Sequence, residues 1–261
     1  MKTSRLIFTL AFALACTLRA AEPAAPMSAN ELAARLSALR QDGSSYVRLR
    51  MEINGAKKET LQLQIKQRRT KNATEVVYQV LFPKERKGES VLLRKIGNRP
   101  ASGSVFVPPN SVRAIDDMKE PLLGSDLSYE DIVEDFFAWD QQAIVGTEDV
   151  DGVPCQILES KPGKADRSSY SRVRSWIDTR RLVPLRVEKY SGPQLLRRID
   201  TTRIVTDAGH PIPANLTVRG PRSGSSTDLD GSRIKHDVTY TDREFTAEGF
   251  KEVPISRDSS E

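Results

Sequence analysis

Apolar residues recur at every second position through most of this chain, and that period constrains what it can fold into. Val47, Leu49, Met51 and Ile53 alternate with Arg48, Arg50 and Glu52. After Asn54-Gly55, Leu61, Leu63 and Ile65 alternate with Gln62, Gln64 and Lys66. Side chains two apart on a strand share a face, so each run makes a strand with one apolar and one polar side. Asn-Gly is a favoured two-residue hairpin turn. Val76, Tyr78, Val80 and Phe82 continue the pattern. Further strands are expected at 90–96, at 105–107 before Pro108-Pro109, and at 143–150 and 153–160 around Asp151-Gly152. The series ends with 170–178, 183–190, 195–205, 213–219 and 225–240, with a last helical turn at 245–250. Around ten strands without interleaved helices predict a mainly β, antiparallel, meander-like sheet. A sheet this wide curls, and its concave face must be filled by its own side chains, by a plug or by a ligand.

The N-terminus reads differently. Lys2 and Arg5 precede a 13-residue apolar run, residues 6–18, which is too short to span a bilayer and suits a secretory signal removed after Ala20. Cys16 offers the weaker alternative of lipid anchoring, because Leu14 stands one position too late for a good lipobox. Residues 21–29 are expected to be a flexible leader, 30–253 one domain and 254–261 a flexible tail. Ser28 and Glu31 form a capping box, and Leu32, Leu36 and Leu39 make one apolar stripe of a helix that must lie on something.

Export alters the charge balance. The chain carries 40 basic and 35 acidic side chains, but Lys2, Arg5 and Arg19 leave with the leader, so 37 face 35. A nearly balanced, interspersed surface argues against nucleic-acid binding. Only Cys155 then remains, which excludes an intramolecular disulfide and suits a buried thiol in a strand.

Catalytic patterns are sparse. No G-x-S-x-G elbow is present, and His210 and His236 stand far apart in turn-like and strand contexts. Zinc spacings are absent. Glu130-Asp131 and Glu134-Asp135 lack the alternating ligands and glycine of a calcium loop and read as a solvated helix face. No cofactor or metal is expected. Trp176, on one strand face with Arg172 and Arg174, reads as packing at a sheet edge or as an indole at the mouth of a cavity.

The stretch "LLGSDLSYEDI", residues 122–132, gathers acids, serines and a tyrosine between apolar residues. Ser128 caps a short helix with Asp131 as reciprocal partner, Glu130 and Asp131 suit the positive helix end, and Gly124 permits a tight turn. Ile132, Val133, Phe136 and Phe137 dock that helix. These features describe scaffold rather than catalysis.

The same stretch, preceded by "SVFVPPNSVRAI" and followed by "VDGVPCQILESKP", "YSRVRSWID", "LVPLRVEKY" and "GPQLLRRI", resembles the bacterial outer-membrane lipoprotein-sorting proteins related to the periplasmic carrier LolA. Gly124, Ser125, Asp126, Ser128, Tyr129, Glu130 and Asp131 match the family signature. Phe106 departs from it, standing where the family usually has tyrosine, and Arg113 has fewer arginine neighbours than is usual there. The resemblance implies a half-barrel with a short helical plug, a hydrophobic cavity for lipid or lipoprotein acyl chains, a periplasmic location, transient contact with a membrane surface, and partnership with an inner-membrane RND-type exporter. The competing function is a periplasmic sensor or adaptor that binds a membrane-protein ectodomain in response to lipid. From the alternation, Met51, Ile53, Leu63, Ile65, Val80 and Trp176 are expected to face the cavity, or else to form ordinary core beneath the N-terminal helix.

Overall fold

The computed structural model describes residues 27–40, 43–164, 166–207 and 209–249; the expected signal and leader through residue 26, including Cys16, and the tail lie outside them. Helix α1 (Ala29–Arg40) precedes six strands: β1 (Ser44–Asn54), β2 (Glu59–Thr70), β3 (Ala73–Phe82), β4 (Ser90–Ile96), β5 (Ser102–Val107) and β6 (Ser111–Ala114). A crossing segment follows, with 3-10 turns at Leu122–Gly124 and Phe136–Ala138 flanking helix α2 (Tyr129–Val133). The chain then makes β7 (Gln141–Val150), β8 (Val153–Lys161), β9 (Arg172–Asp178), β10 (Val183–Ser191), β11 (Gln194–Asp207), β12 (His210–Arg219) and β13 (Ser226–His236).

All thirteen strands join one curved, unclosed antiparallel sheet in the order β6-β5-β4-β3-β2-β1-β13-β12-β11-β10-β9-β8-β7. The first and last strands pair in its middle, so β6 and β7 become its opposite edges. The chain must therefore cross the whole sheet between them, and the crossing segment is the plug. Register aligns the apolar rows. Leu49 stands opposite Leu63, Met51 opposite Leu61 on one side and opposite Leu229 on the other. The sequence pattern does not reveal β6, whose four residues are all exposed and so carry no burial period.

Two bodies cover the inner face. The plug lies over β1 to β5, where Leu122, Leu127, Tyr129 and Val133 pack with Met51, Leu61, Leu63, Val76, Val80, Val91 and Leu93. Fully burying each such side chain contributes about 1.5–3 kcal/mol. Helix α1 lies over β7 to β10, where Leu32, Ala33 and Leu36 pack with Phe136, Phe137, Leu158, Val173, Ile177 and Val187. The outer face is not uniformly wet: Phe245, on the 3-10 turn Asp242–Phe245, is fully buried over Val77, Leu92 and Phe106. That turn begins three residues earlier than the period suggests, because Thr241 and Glu244 form a capping box there.

Candidate functional site

The acids of the plug bind it to the sheet. Asp131 is buried and accepts hydrogen bonds from Lys189 Nζ of β10 at 2.7 Å, Tyr170 Oη at 2.8 Å and Ser128 N at 2.7 Å. Arg197 of β11 lies 2.8 Å from Oδ2, the oxygen that Ser128 N also reaches, while Lys189 and Tyr170 share Oδ1. Burial alone would raise the Asp131 pKa, but Lys189 and Arg197 outweigh it and hold the carboxyl below its ordinary value. Burial, with Asp131 beside it, pushes the Tyr170 phenol up.

Asp126 reaches β13, accepting from Thr227 at 3.0 Å and from Ser225 at 2.7 Å, and Gly220 passes so close that a Cβ there would meet its carboxylate at 2.8 Å. Glu130 accepts from Ser168 at 2.5 Å and from the backbone N–H of Ser169 at 2.9 Å. Glu134 takes Lys95 of β4 at 2.8 Å and the Trp139 indole N–H at 2.9 Å. Charge-assisted hydrogen bonds of this kind are the strong ones, and here they run from one short segment to five separate places on the sheet. The capping box of Ser128 and Asp131 is present, so the polar density of 122–132 is anchoring chemistry.

Beside the plug the inner face is hollow. A cavity of about 630 Å³ lies between α1, the aromatic turn of the plug and strands β10 to β13. Its wall is formed by Leu36, Phe136, Phe137, Val187, Ile199, Ile212, Pro213 and Leu216, with Lys189 and Asp131 also lining it. Arg40, Ser45, Arg69, Asp207, His210, His236 and Asp237, which stand at element ends, supply further polar lining. His236 Nε2 is 2.5 Å from Asp207 Oδ2, which ties β13 to the end of β11. The volume falls within the range of sites that enclose small organic ligands, about 300–1,000 Å³.

None of the six alternation-based residues lines this cavity. Met51, Ile53, Leu63, Ile65 and Val80 come together under the plug, the first, third and fifth with no exposure at all. Trp176 stands on the opposite face from its neighbours Val173 and Ile177, packed with Val150, Cys155, Val183 and Leu185. Its indole N–H donates to Glu148 at 2.9 Å, and the Arg186 guanidinium lies 5.6 Å from its ring centroid. Five of the six lie on the inner face, where the plug, not α1, covers them.

The lining residues carried a signal of another kind. Lys189 follows inward Val187 at the strand period, beyond the bulge between Pro184 and Arg186 that leaves Leu185 packed with Trp176, and Arg69 continues the inward register of Leu61, Leu63, Ile65 and Gln67. A cation in an apolar register marks a buried charge with a specific purpose.

A curved, unclosed antiparallel sheet with a helical plug and an apolar inner cavity defines the class: this is a LolA-like half-barrel. A DUF1329 family protein from Desulfovibrio piger superposes with a TM-score of 0.78 at 26% identity, over 85% of this chain and 97% of that one. An outer membrane lipoprotein-sorting protein domain from Vibrio parahaemolyticus gives 0.76 at 19% identity, over 86% and 98%. A LolA superfamily protein from Nitrosomonas europaea gives 0.67 at 19%, over 85% and 98%. No curated protein matches the sequence. Residues 71–252 match a family described only as uncharacterized proteins, and the chain belongs to that family.

Proposed function

We propose that this protein is a periplasmic carrier that takes the acyl chains of a lipid or a lipidated protein into the cavity between α1 and β10 to β13. The observation that carries this reading is the cavity itself, a hollow of about 630 Å³ with an aliphatic and aromatic wall, left open beside a firmly anchored plug. Each methylene that leaves water for such a wall contributes about 0.8 kcal/mol. Helix α1 meets the plug at its C-terminal end through Ser37 Oγ to Asp135 at 2.6 Å and Arg40 to the Glu134 carbonyl at 3.1 Å. It is the element that admits cargo by tilting, with Leu39 exposed at the edge of the cavity. No helix among the described residues is long and apolar enough to cross a membrane. The RND-type exporter partnership implied by the sequence resemblance gives such a carrier an inner-membrane donor or acceptor.

Native mass spectrometry of protein purified from the periplasm under mild conditions tests the reading. Adducts of acyl-lipid mass, removed by delipidation and restored by added lipid, are expected. Protein that carries no adduct and ignores fluorescent acyl probes would overturn it.

A further inference from the structure

Arg40, at the end of α1, and Arg69, near the end of β2, both line the cavity. Each donates from Nη2 to a carbonyl at the C-terminal end of α2, Arg69 to Ile132 O at 3.1 Å and Arg40 to Glu134 O at 3.1 Å. A guanidinium carries five N–H donors, so these bonds leave most of each fork unused. Among the described residues no carboxylate lies within 4 Å of Arg69, and Arg40 has only Asp135, at 3.9 Å. That distance is too long for a hydrogen bond, and the other Asp135 oxygen accepts from Ser37 at 2.6 Å. The other acids of the lining do not neutralise the pair. Asp131 is taken up by Lys189 and Arg197, and Asp207 by His236. Asp237 makes no ion pair within 4 Å of a described cation.

Two like charges thus share one apolar wall. The Arg40 guanidinium lies 5.5 Å from the Phe136 ring centroid, and the Lys189 ammonium 5.3 Å from the same ring. Burial, and then the charge of Arg40, lower the Arg69 pKa to about 10. Both guanidinium groups are half-buried, and such an arrangement is costly when the cavity holds only apolar matter, because a charge drawn partly out of water requires a partner.

We infer that Arg40 and Arg69 form the seat of an anionic headgroup, a carboxylate or a phosphate, on an amphiphile whose acyl tail occupies the cavity. The inference rests on the carrier reading and narrows its cargo. A lipidated protein presents an acylated cysteine with no anionic group beside its acyl chains, whereas a fatty acid or an acidic phospholipid presents one to the two guanidinium groups that line the cavity. Carboxylate and phosphate both suit a two-arginine clamp.

Displacement of a neutral fluorescent acyl probe from the whole protein tests this with lipids matched in their tails: oleate, oleoyl lysophosphatidylglycerol and oleyl alcohol. Oleate, the lysophospholipid or both are expected to displace the probe at about tenfold lower concentration than the alcohol, as a charge-assisted pair implies. Whichever anion is preferred identifies the headgroup. The preference is expected to shrink with added salt, to survive Arg69→Lys, and to vanish in Arg40→Gln/Arg69→Gln while the alcohol still binds. Equal displacement by acid, phospholipid and alcohol in the wild type would overturn the seat and leave the carrier standing. Failure of all three to displace the probe would overturn the carrier reading itself. The wild-type comparison decides the matter even if the double variant fails to fold.

Discussion

Asp131 of α2 and Lys189 of β10 form an ion pair of 2.7 Å in which neither side chain is more than 2% exposed. The plug is fixed to the far half of the sheet by this contact, because Arg197 and Tyr170 complete the same carboxylate. Breaking a buried pair strands the remaining charges, so Asp131→Asn is expected to destabilise the protein by about 3–5 kcal/mol in urea unfolding. Replacing both partners, as Asp131→Asn/Lys189→Met, should recover part of that loss.

The same carboxylate predicts an acid limb. Its pKa in the folded protein lies below the unfolded value near 3.8. Its contribution is therefore complete above the unfolded value and is lost as pH falls through the folded one. Urea midpoints of the wild type should decline more steeply below pH 4 than those of Asp131→Asn. Parallel curves would mean that Asp131 is not the group concerned.

Filling the cavity should separate binding from folding. Ile199→Phe with Leu216→Phe places two rings in the hollow against Val187 and Phe136, and a loss of acyl-probe binding of at least about tenfold is expected with the melting temperature kept or raised. Leu63→Ala acts in the opposite sense. It empties space under the plug, costing about 2–5 kcal/mol of stability, while acyl-chain stoichiometry in native mass spectra is retained.

The two indoles report on the two faces. Trp139 packs edge-on to Phe136 with centroids 6.3 Å apart, and Phe136 lines the cavity, whereas Trp176 lies on the outer face. A brominated acyl chain should quench Trp139 in Trp176→Phe far more than it quenches Trp176 in Trp139→Phe. Equal quenching would place the chain elsewhere.

Gly103 supports the start of the crossing. A Cβ there would stand 2.6 Å from the Leu92 carbonyl oxygen and 2.7 Å from Ile115 Cδ1, and Ile115 N donates to Gly103 O at 3.0 Å. Gly103→Ala is expected to cost about 1–3 kcal/mol by overpacking, read as a lowered thermal midpoint.

Much of this architecture is legible in the linear chain. The period-two runs from Val47 to Ile65 dictate a hairpin and its inward face, since neighbouring side chains on a strand must point to opposite sides, but its connection runs from Gly55 to Lys58 and is longer than the two-residue Asn-Gly turn the sequence suggests. The Ser128 and Asp131 capping box is likewise a local matter, settled within four residues. Which inward residues meet solid packing and which border a hollow is not local. Met51 and Leu216 occupy the same face of the same sheet and look alike in sequence, yet one is sealed under the plug and the other lines the cavity. The difference arises because β1 pairs with β13, which sends β6 and β7 to opposite edges and carries residues 115–140 across the inner face, where they seal β1 to β5 and leave a hollow beside β10 to β13. Side-chain period is a property of the strand itself, but what covers a strand depends on pairings between residues nearly 200 positions apart, and only the assembled sheet decides those.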